Sequence, residues 1–159
     1  MTLALVITVS TRAASGVYED RSGPVIVEGL RSMGLEVDGP DVLPDGPELL
    51  AALREATQRY ALVVTTGGTG LTPTDRTPEA TRAVVDLEIP GLAEAIRARG
   101  VAGGVPSAVL SRGIVGAAGR CLVVNLAGST GAARDGLDVL TQVLPHALDQ
   151  LAGGDHPRH

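Results

Sequence analysis

The sequence has no lysine, no phenylalanine and no tryptophan, and a single cysteine. Each gap removes a class of chemistry. Without lysine there is no Schiff-base catalysis and no phosphate loop of the GxxxxGK[ST] kind. Tyr18 and Tyr60 are the only large aromatics, too few for a stacking platform that binds single-stranded nucleic acid. The net charge of -5 argues further against a broad nucleic-acid surface. A small phosphorylated ligand stays compatible with that charge, because a few backbone N–H groups can hold it. Cys121 excludes internal disulfides, gives no metal-ligand spacing, and within CLVVNL reads as a small core residue. His146 sits in a helical segment and reads as structural, whereas His156 and His159 fall in the tail, so no metal triad is spaced out. MTLALVITVSTR lacks a basic lead-in, and no apolar run reaches membrane-spanning length. A cytoplasmic protein with no membrane partner is expected.

What is present reads as one domain over residues 1–152, followed by a short tail at 153–159. Leu3 to Thr8 is a short apolar run that reads as a buried strand. SGPVIVEGLRSMG predicts a helix capped at Ser22 or Gly23, with Pro24 in its first turn and Gly34 at its end. A brief strand over Leu35 to Val37 follows. PELLAALREATQRY then carries Leu49, Leu50, Leu53 and Ala56 on one helical face. Ala61 to Thr65 is a second buried strand. Beyond a glycine-rich loop, a helix is expected from about Pro78 to Val85 with Thr77 as its N-cap, and GLAEAIRARG gives another. Arg112 to Val115 and Cys121 to Leu126 read as strands joined by AAGR, and Gly131 to Ala152 as a helix broken or bent near Pro145. Strands alternating with helices predict the α/β class: a mostly parallel sheet with helices on both faces, in three layers. In such sheets ligands bind beyond the carboxyl ends of the strands, where the loops starting at Ser10, Thr65 and Leu126 should lie together.

The strongest local signal is TTGGTGLTPTDRTPEAT, Thr65 to Thr81. Gly67, Gly68 and Gly70 permit positive φ and close approach of a ligand, and their N–H groups can form an anion-binding concavity. The bland alternative, a flexible turn, needs fewer residues than this loop has. Pro73 breaks any GxGxxG pattern, so a dinucleotide fingerprint is absent. Asp75 stands just before a helix start, so it either stabilises the turn or holds a Mg²⁺ that carries substrate phosphates. Asp45, in LPDGPELL, has an ordinary helix-entry reading, and Asp20, in VYEDRSGP, reads as a cap partner. Arg112, beside Ser111, suits a phosphate or carboxylate partner and equally a surface ion pair. NLAGST places Asn125, Gly128 and Ser129 at a strand end, as a second anion nest or a plain helix cap.

TTGGTG, DRTPEAT, PGL, LSR and VVNLAGS, in this order and spacing, resemble the MogA/MoaB family of molybdenum-cofactor biosynthesis proteins; the G domains of plant Cnx and of gephyrin are similar. The likeness runs from VSTR and EDRSGP to the last helix. It implies a molybdopterin-binding domain that forms homotrimers and adenylylates molybdopterin with Mg-ATP, releasing pyrophosphate. Downstream it implies a molybdate-inserting protein of the MoeA type. The family's two functional aspartates match Asp45 and Asp75, which makes these the expected catalytic and Mg²⁺-holding residues. Ser10, Asp20, Gly67, Gly68, Thr69, Gly70, Ser111, Asn125, Gly128 and Ser129 are the matching candidates for binding molybdopterin or ATP.

The chain departs from the family pattern in three places. NLAGST carries Ala127 and Thr130 where proline is usual, which predicts a less rigid loop. Ser10-Thr11-Arg12 replaces the frequent Ser-Asp-Arg. Thr74 stands where a basic residue often precedes the second aspartate. The altered NLAGST loop leaves a non-catalytic molybdopterin-binding protein as the alternative reading.

Overall fold

A computed structural model describes residues 2–154. Its core is a six-stranded sheet in the order β2-β1-β3-β6-β5-β4. The strands are β1 (Leu3–Val9), β2 (Glu36–Leu43), β3 (Leu62–Thr66), β4 (Leu87–Glu88), β5 (Val115–Ala118) and β6 (Cys121–Leu126). β2, β1, β3 and β6 run parallel, while β5 and β4 pair antiparallel. The sheet is therefore mixed and mostly parallel, as expected.

Alternation along the central strands builds two cores. Ala4, Val6, Leu62, Val64, Leu122 and Val124 point to one face. They meet Ile26 and Leu30 of α2 (Ser22–Ser32), Ala93 of α5 (Pro90–Ala102), and Leu137, Leu140 and Leu144 of α6 (Thr130–Leu151). Leu5, Ile7, Val63 and Val123 point to the other face, against Leu49, Leu53 and Ala56 of α3 (Glu48–Arg59). Ala80 of α4 (Thr77–Arg82) packs on that side too. Period-2 strands between period-3.6 helices give three layers with both sheet faces covered. Cys121 lies in the second core, and burial pushes its thiol up to about 12, so it is inert.

Several elements differ from the sequence reading. β2 runs through Asp38-Gly39-Pro40-Asp41 instead of stopping at Val37. It is an edge strand, where a proline without N–H is tolerated, and its register against β1 shifts between Leu5 and Ile7. β5 begins at Val115, so Arg112 to Ile114 precede the strand. α6 continues through Pro145 without a break. A four-residue helix α1 (Thr11–Ala14), the short β4, and a 3₁₀ turn at Pro106–Leu110 had no sequence signal. Thr77 is not the cap of α4: its hydroxyl donates to the Gly67 carbonyl, and its N–H donates to Gly68 O. Of the expected tail over 153–159, residues 155–159, with His156 and His159, lie outside the described residues. Among the described residues, no helix is long and apolar enough to cross a membrane.

Leu53 is fully buried between α3 and the sheet, whereas Leu50 on the same helix is half-buried. Leu53→Ala should lower unfolding free energy by about 2–5 kcal/mol, and Leu50→Ala by clearly less. Urea denaturation of both variants checks this; equal losses would contradict the layer assignment.

Candidate functional site

The site begins with strand register. Ile7, Thr65 and Asn125 stand side by side across β1, β3 and β6, and Thr8, Thr66 and Leu126 form the next row. The three strands end together, so the loops that follow Val9, Thr66 and Leu126 are neighbours. Gly67 donates its N–H to Leu126 O at 3.0 Å, tying two of these loops. Gly128 lies against Gly67: a Cβ on Gly128 would stand 3.3 Å from the Gly67 Cα.

Gly67 and Gly68 both have positive φ, at 97° and 69°. A side chain on Gly67 would strike the Val9 carbonyl, and one on Gly68 the Thr77 hydroxyl. Only glycine meets both demands. The loop's carbonyls turn toward the protein: Gly67 O accepts from Thr77 Oγ1, Gly68 O from Thr77 N, Thr69 O from Arg112 N and Gly70 O from Arg112 Nε. The N–H groups of Gly68, Thr69 and Gly70 have no hydrogen-bond partner among the described residues. Three successive free N–H donors are a cradle able to receive an anion, to which Gly67 contributes shape but not its N–H.

Two clefts open on this loop. One, about 620 Å³, is lined by the glycine loop, α5, the 3₁₀ turn and the start of α6. The other, about 540 Å³, is lined by Ser10, Asp20 and their neighbours. Gly67, Gly128 and Ser129 belong to both, so they form the saddle between the clefts. The first turn of α6 faces both clefts, adding the positive end of a 22-residue helix.

The aspartates flank the cradle. Asp45 Oδ1 would lie 3.4 Å from a Cβ on Gly68, and Asp75 Oδ2 2.8 Å from one on Gly70. Asp45 is oriented by Thr11, whose hydroxyl donates to Asp45 Oδ2 and accepts from Asp45 N, both at 3.0 Å. Asp75 Oδ2 accepts from the Thr72 N–H at 3.1 Å and its hydroxyl at 2.6 Å, which makes Asp75 the pin of its own turn. Both carboxylates are half-buried. The described residues contain no group of three or more His, Cys, Asp or Glu arranged to hold a metal ion.

Several candidate side chains have internal duties. Ser10 Oγ accepts from Ala13 N and caps α1, while Ser129 Oγ accepts from Ala132 N and caps α6. Asp20 accepts from Gly23 N at the start of α2 and from Thr8 Oγ1. Asn125 is buried; its amide donates to Thr65 and Thr81 and accepts from Ile114 N. Ser111 Oγ donates to Thr69 Oγ1 at 3.1 Å. The loop with Ala127 and Thr130 is anchored without proline, since Thr66 Oγ1 lies 3.1 Å from Ala127 O.

Arg112 pairs with a carboxylate, Glu79, at 2.7 Å, and also donates to the carbonyls of Gly70 and Asp75. Arg97 of α5 lines the larger cleft and donates to Ser111 O and Gly113 O, with no carboxylate in ion-pair range among the described residues. The sequence reading passed over Glu79 and Arg97. Glu79 in TPEAT looks like an ordinary first-turn acid, and Arg97 in a helical run looks like a solvated charge. Neither carries a local signal of its partners.

Burial pushes the Glu79 carboxyl up, but the hydrogen bond and charge of Arg112 outweigh it, and the carboxyl lies below its ordinary value of 4.5. The sign follows: the pair's contribution to stability is complete above that value and is lost as pH falls through the lowered one. The stability difference between wild type and Glu79→Gln should be constant near neutral pH and shrink on acidification below about 4.5. Denaturant melts across pH check this; a difference that grows on acidification would contradict it.

Residues 5–146 match the family described as "Probable molybdopterin binding domain". The chain is 41% identical over 96% of its length to the molybdenum cofactor biosynthesis bifunctional protein of Synechococcus elongatus, and spans about half (48%) of that longer relative. It is 40% identical to the molybdopterin adenylyltransferase of Pyrococcus furiosus, with 90% of this chain and 87% of that one covered. The structure of the molybdopterin biosynthesis Mog protein from Mycobacterium ulcerans superposes with a TM-score of 0.88 at 52% identity, covering 95% of this chain and 99% of that one. Sequence motifs, sheet topology and glycine loop converge: the chain belongs to the molybdopterin-binding domain family of molybdenum cofactor biosynthesis.

Proposed function

We propose that this chain is a molybdopterin adenylyltransferase. The observation that carries the reading is the cradle of unpaired N–H groups at Gly68, Thr69 and Gly70, flanked by Asp45 and Asp75 at the junction of two clefts. Two clefts suit two substrates, molybdopterin and ATP, whose phosphates must meet. In the reaction, an oxygen of the molybdopterin phosphate forms a bond to the α-phosphorus of ATP. The bond from that phosphorus to the bridging oxygen breaks, and pyrophosphate leaves. Both reactants are anions, so the protein's task is to hold them in line and offset their repulsion. The loop N–H groups and the start of α6 hold phosphate oxygens through fixed dipoles.

Asp45 and Asp75 are the residues that would hold Mg²⁺. They fit it in kind: hard oxygen donors, few in number, beside a phosphate cradle, which is how this ion is usually bound together with substrate phosphates and water. A bound Mg²⁺ supplies charge neutralisation of the phosphates. Ser10, Ser129 and Asn125, whose polar atoms are engaged in caps and a core network, shape the clefts and leave most polar contact to the backbone. Asp20 does the same for the smaller cleft. Ser111 sits on the wall of the larger cleft and holds Thr69.

We further read the protein as a cytoplasmic homotrimer that passes its product to a molybdate-inserting partner of the MoeA type. Exposed Val101, Val105, Val109 and Leu110, along the end of α5 and the 3₁₀ turn, support self-association.

Protein mixed with molybdopterin, ATP and Mg²⁺ should release pyrophosphate. If none appears while an established adenylyltransferase turns over alongside, the reading fails. Asp75→Asn keeps an oxygen that can accept from Thr72 but loses the charge. It should lower turnover by about 10²-fold or more with little change in melting temperature. Turnover equal to wild type would remove Asp75 from the reaction.

A further inference from the structure

The N–H cradle exists only while the backbone from Gly67 to Asp75 keeps its carbonyls turned inward. A segment with three glycines has no strong preference of its own for that arrangement, so something else must hold it. Two grips are visible. One is Thr77, which takes the carbonyls of Gly67 and Gly68. The other is the adjacent pair Ser111 and Arg112, distant in sequence. Ser111 Oγ reaches Thr69 Oγ1 at 3.1 Å, and Arg112 N reaches Thr69 O at 2.8 Å. The Arg112 guanidinium then spans the rest of the loop: Nε to Gly70 O at 2.8 Å, Nη2 to Asp75 O at 2.7 Å, and Nη1 to the Glu79 carboxylate at 2.7 and 3.2 Å.

Arg112 does this from behind. It does not line either cleft at the cradle; it lines a separate hollow with Arg82, Glu88 and Ile114. Its charge faces Glu79, which also pairs with Arg76 at 3.7 Å. Thr77 and the Arg112 N–H hold the carbonyls of Gly67, Gly68 and Thr69, the peptide units whose N–H side forms the cradle, and the Arg112 guanidinium fastens the stretch that follows, at Gly70 O and Asp75 O. Arg97 secures the latch itself, donating to the carbonyls on both sides of Arg112, at Ser111 and Gly113.

We propose that Arg112, clasped by Glu79, is a positioning residue that locks the glycine loop and Asp75 in the anion-binding arrangement, and so sets phosphate affinity without touching the ligand. The inference rests on reading the loop as a phosphate site. It requires arginine and not merely a positive charge. A planar fork reaches two carbonyls and a carboxylate at once, whereas a lysine ammonium on the same stem cannot span all three.

Inorganic pyrophosphate is the probe, titrated by calorimetry into wild type, Arg112→Lys, Arg112→Ala and Glu79→Gln, with melting temperatures measured in parallel. Arg112→Lys should weaken pyrophosphate binding about tenfold or more, and Glu79→Gln severalfold, with melting curves that stay cooperative. Millimolar guanidinium should restore binding to Arg112→Ala, and potassium chloride at the same ionic strength should not. Wild-type affinity in Arg112→Lys overturns the proposal, as does failure of guanidinium to restore folded Arg112→Ala. If Arg112→Ala does not fold, Glu79→Gln decides, and unchanged affinity there overturns it. The two readings fail separately. Wild type that binds pyrophosphate but never releases it from ATP removes the adenylyl reading and leaves the latch standing. Wild type that does not bind pyrophosphate overturns the latch.

Discussion

Everything at the site depends on the parallel register that ends β1, β3 and β6 in the same row. Thr8, Thr66 and Leu126 are paired across the sheet, so the chain leaves three adjacent strands at one level. Three loops then compete for one small volume, and glycine resolves the crowding. Gly67 passes so near the Val9 carbonyl that no side chain fits, and Gly128 packs against Gly67 from the other side. The two cores beneath fix this row. Alternate residues of each strand are buried in opposite layers, so a slip of one residue would exchange the two sets and misfit the packing of both cores. Asn125 adds a polar lock at the strand ends, tying β6 to β3, to α4 and to the segment before β5. Removing such a buried amide strands several partners at once, each at a cost of about 1–3 kcal/mol.

The electrostatics are unusual for a proposed phosphate site. The chain carries a net charge of -5 and has no lysine. Arg112 is neutralised by Glu79 and faces backbone carbonyls, and Arg97 is bonded to two more carbonyls. The positive field at the glycine loop therefore comes from peptide dipoles, those of the loop N–H groups and the first turn of α6, together with the charge of Arg97 on the wall of the larger cleft. Such dipoles are fixed before a ligand arrives, so they need no reorganisation and add no net charge. Arg112 acts one step back, by fastening the loop that carries those dipoles.

Much of this was legible in the sequence. Short β-branched runs marked β1, β3 and β6, the leucine spacing marked α3, and three glycines between a strand and a proline-led helix marked the loop. What failed to show has physical reasons. Asp-Gly-Pro reads locally as a turn, yet Pro40 is tolerated inside β2 because an edge strand leaves one side unpaired. Two-residue β4 is too short for any period to be detected. Arg112 was ambiguous between a phosphate and a carboxylate because its partners lie more than thirty residues away. Asp45 looked like a helix entry, and only the resemblance raised it; the fold brings it against Gly68 by way of Thr11, a contact that no local pattern predicts.

The polar residues of the motifs prove to be mainly internal fasteners. Ser10 and Ser129 cap helices, Thr77 holds two loop carbonyls, Thr66 reaches the Ala127 carbonyl, and Asp75 pins its own turn. This explains how Ala127 and Thr130 can stand where the family favours proline. Proline stiffens a loop by removing conformations from the unfolded chain, but hydrogen bonds in the folded state can hold the same path. Here Gly67 N–H to Leu126 O, Thr66 Oγ1 near Ala127 O, and the Ser129 cap fasten three residues of the NLAGST loop. With Ala127 and Thr130 in the sequence, the loop is thus held by hydrogen bonds of the folded state, at the saddle between the two clefts.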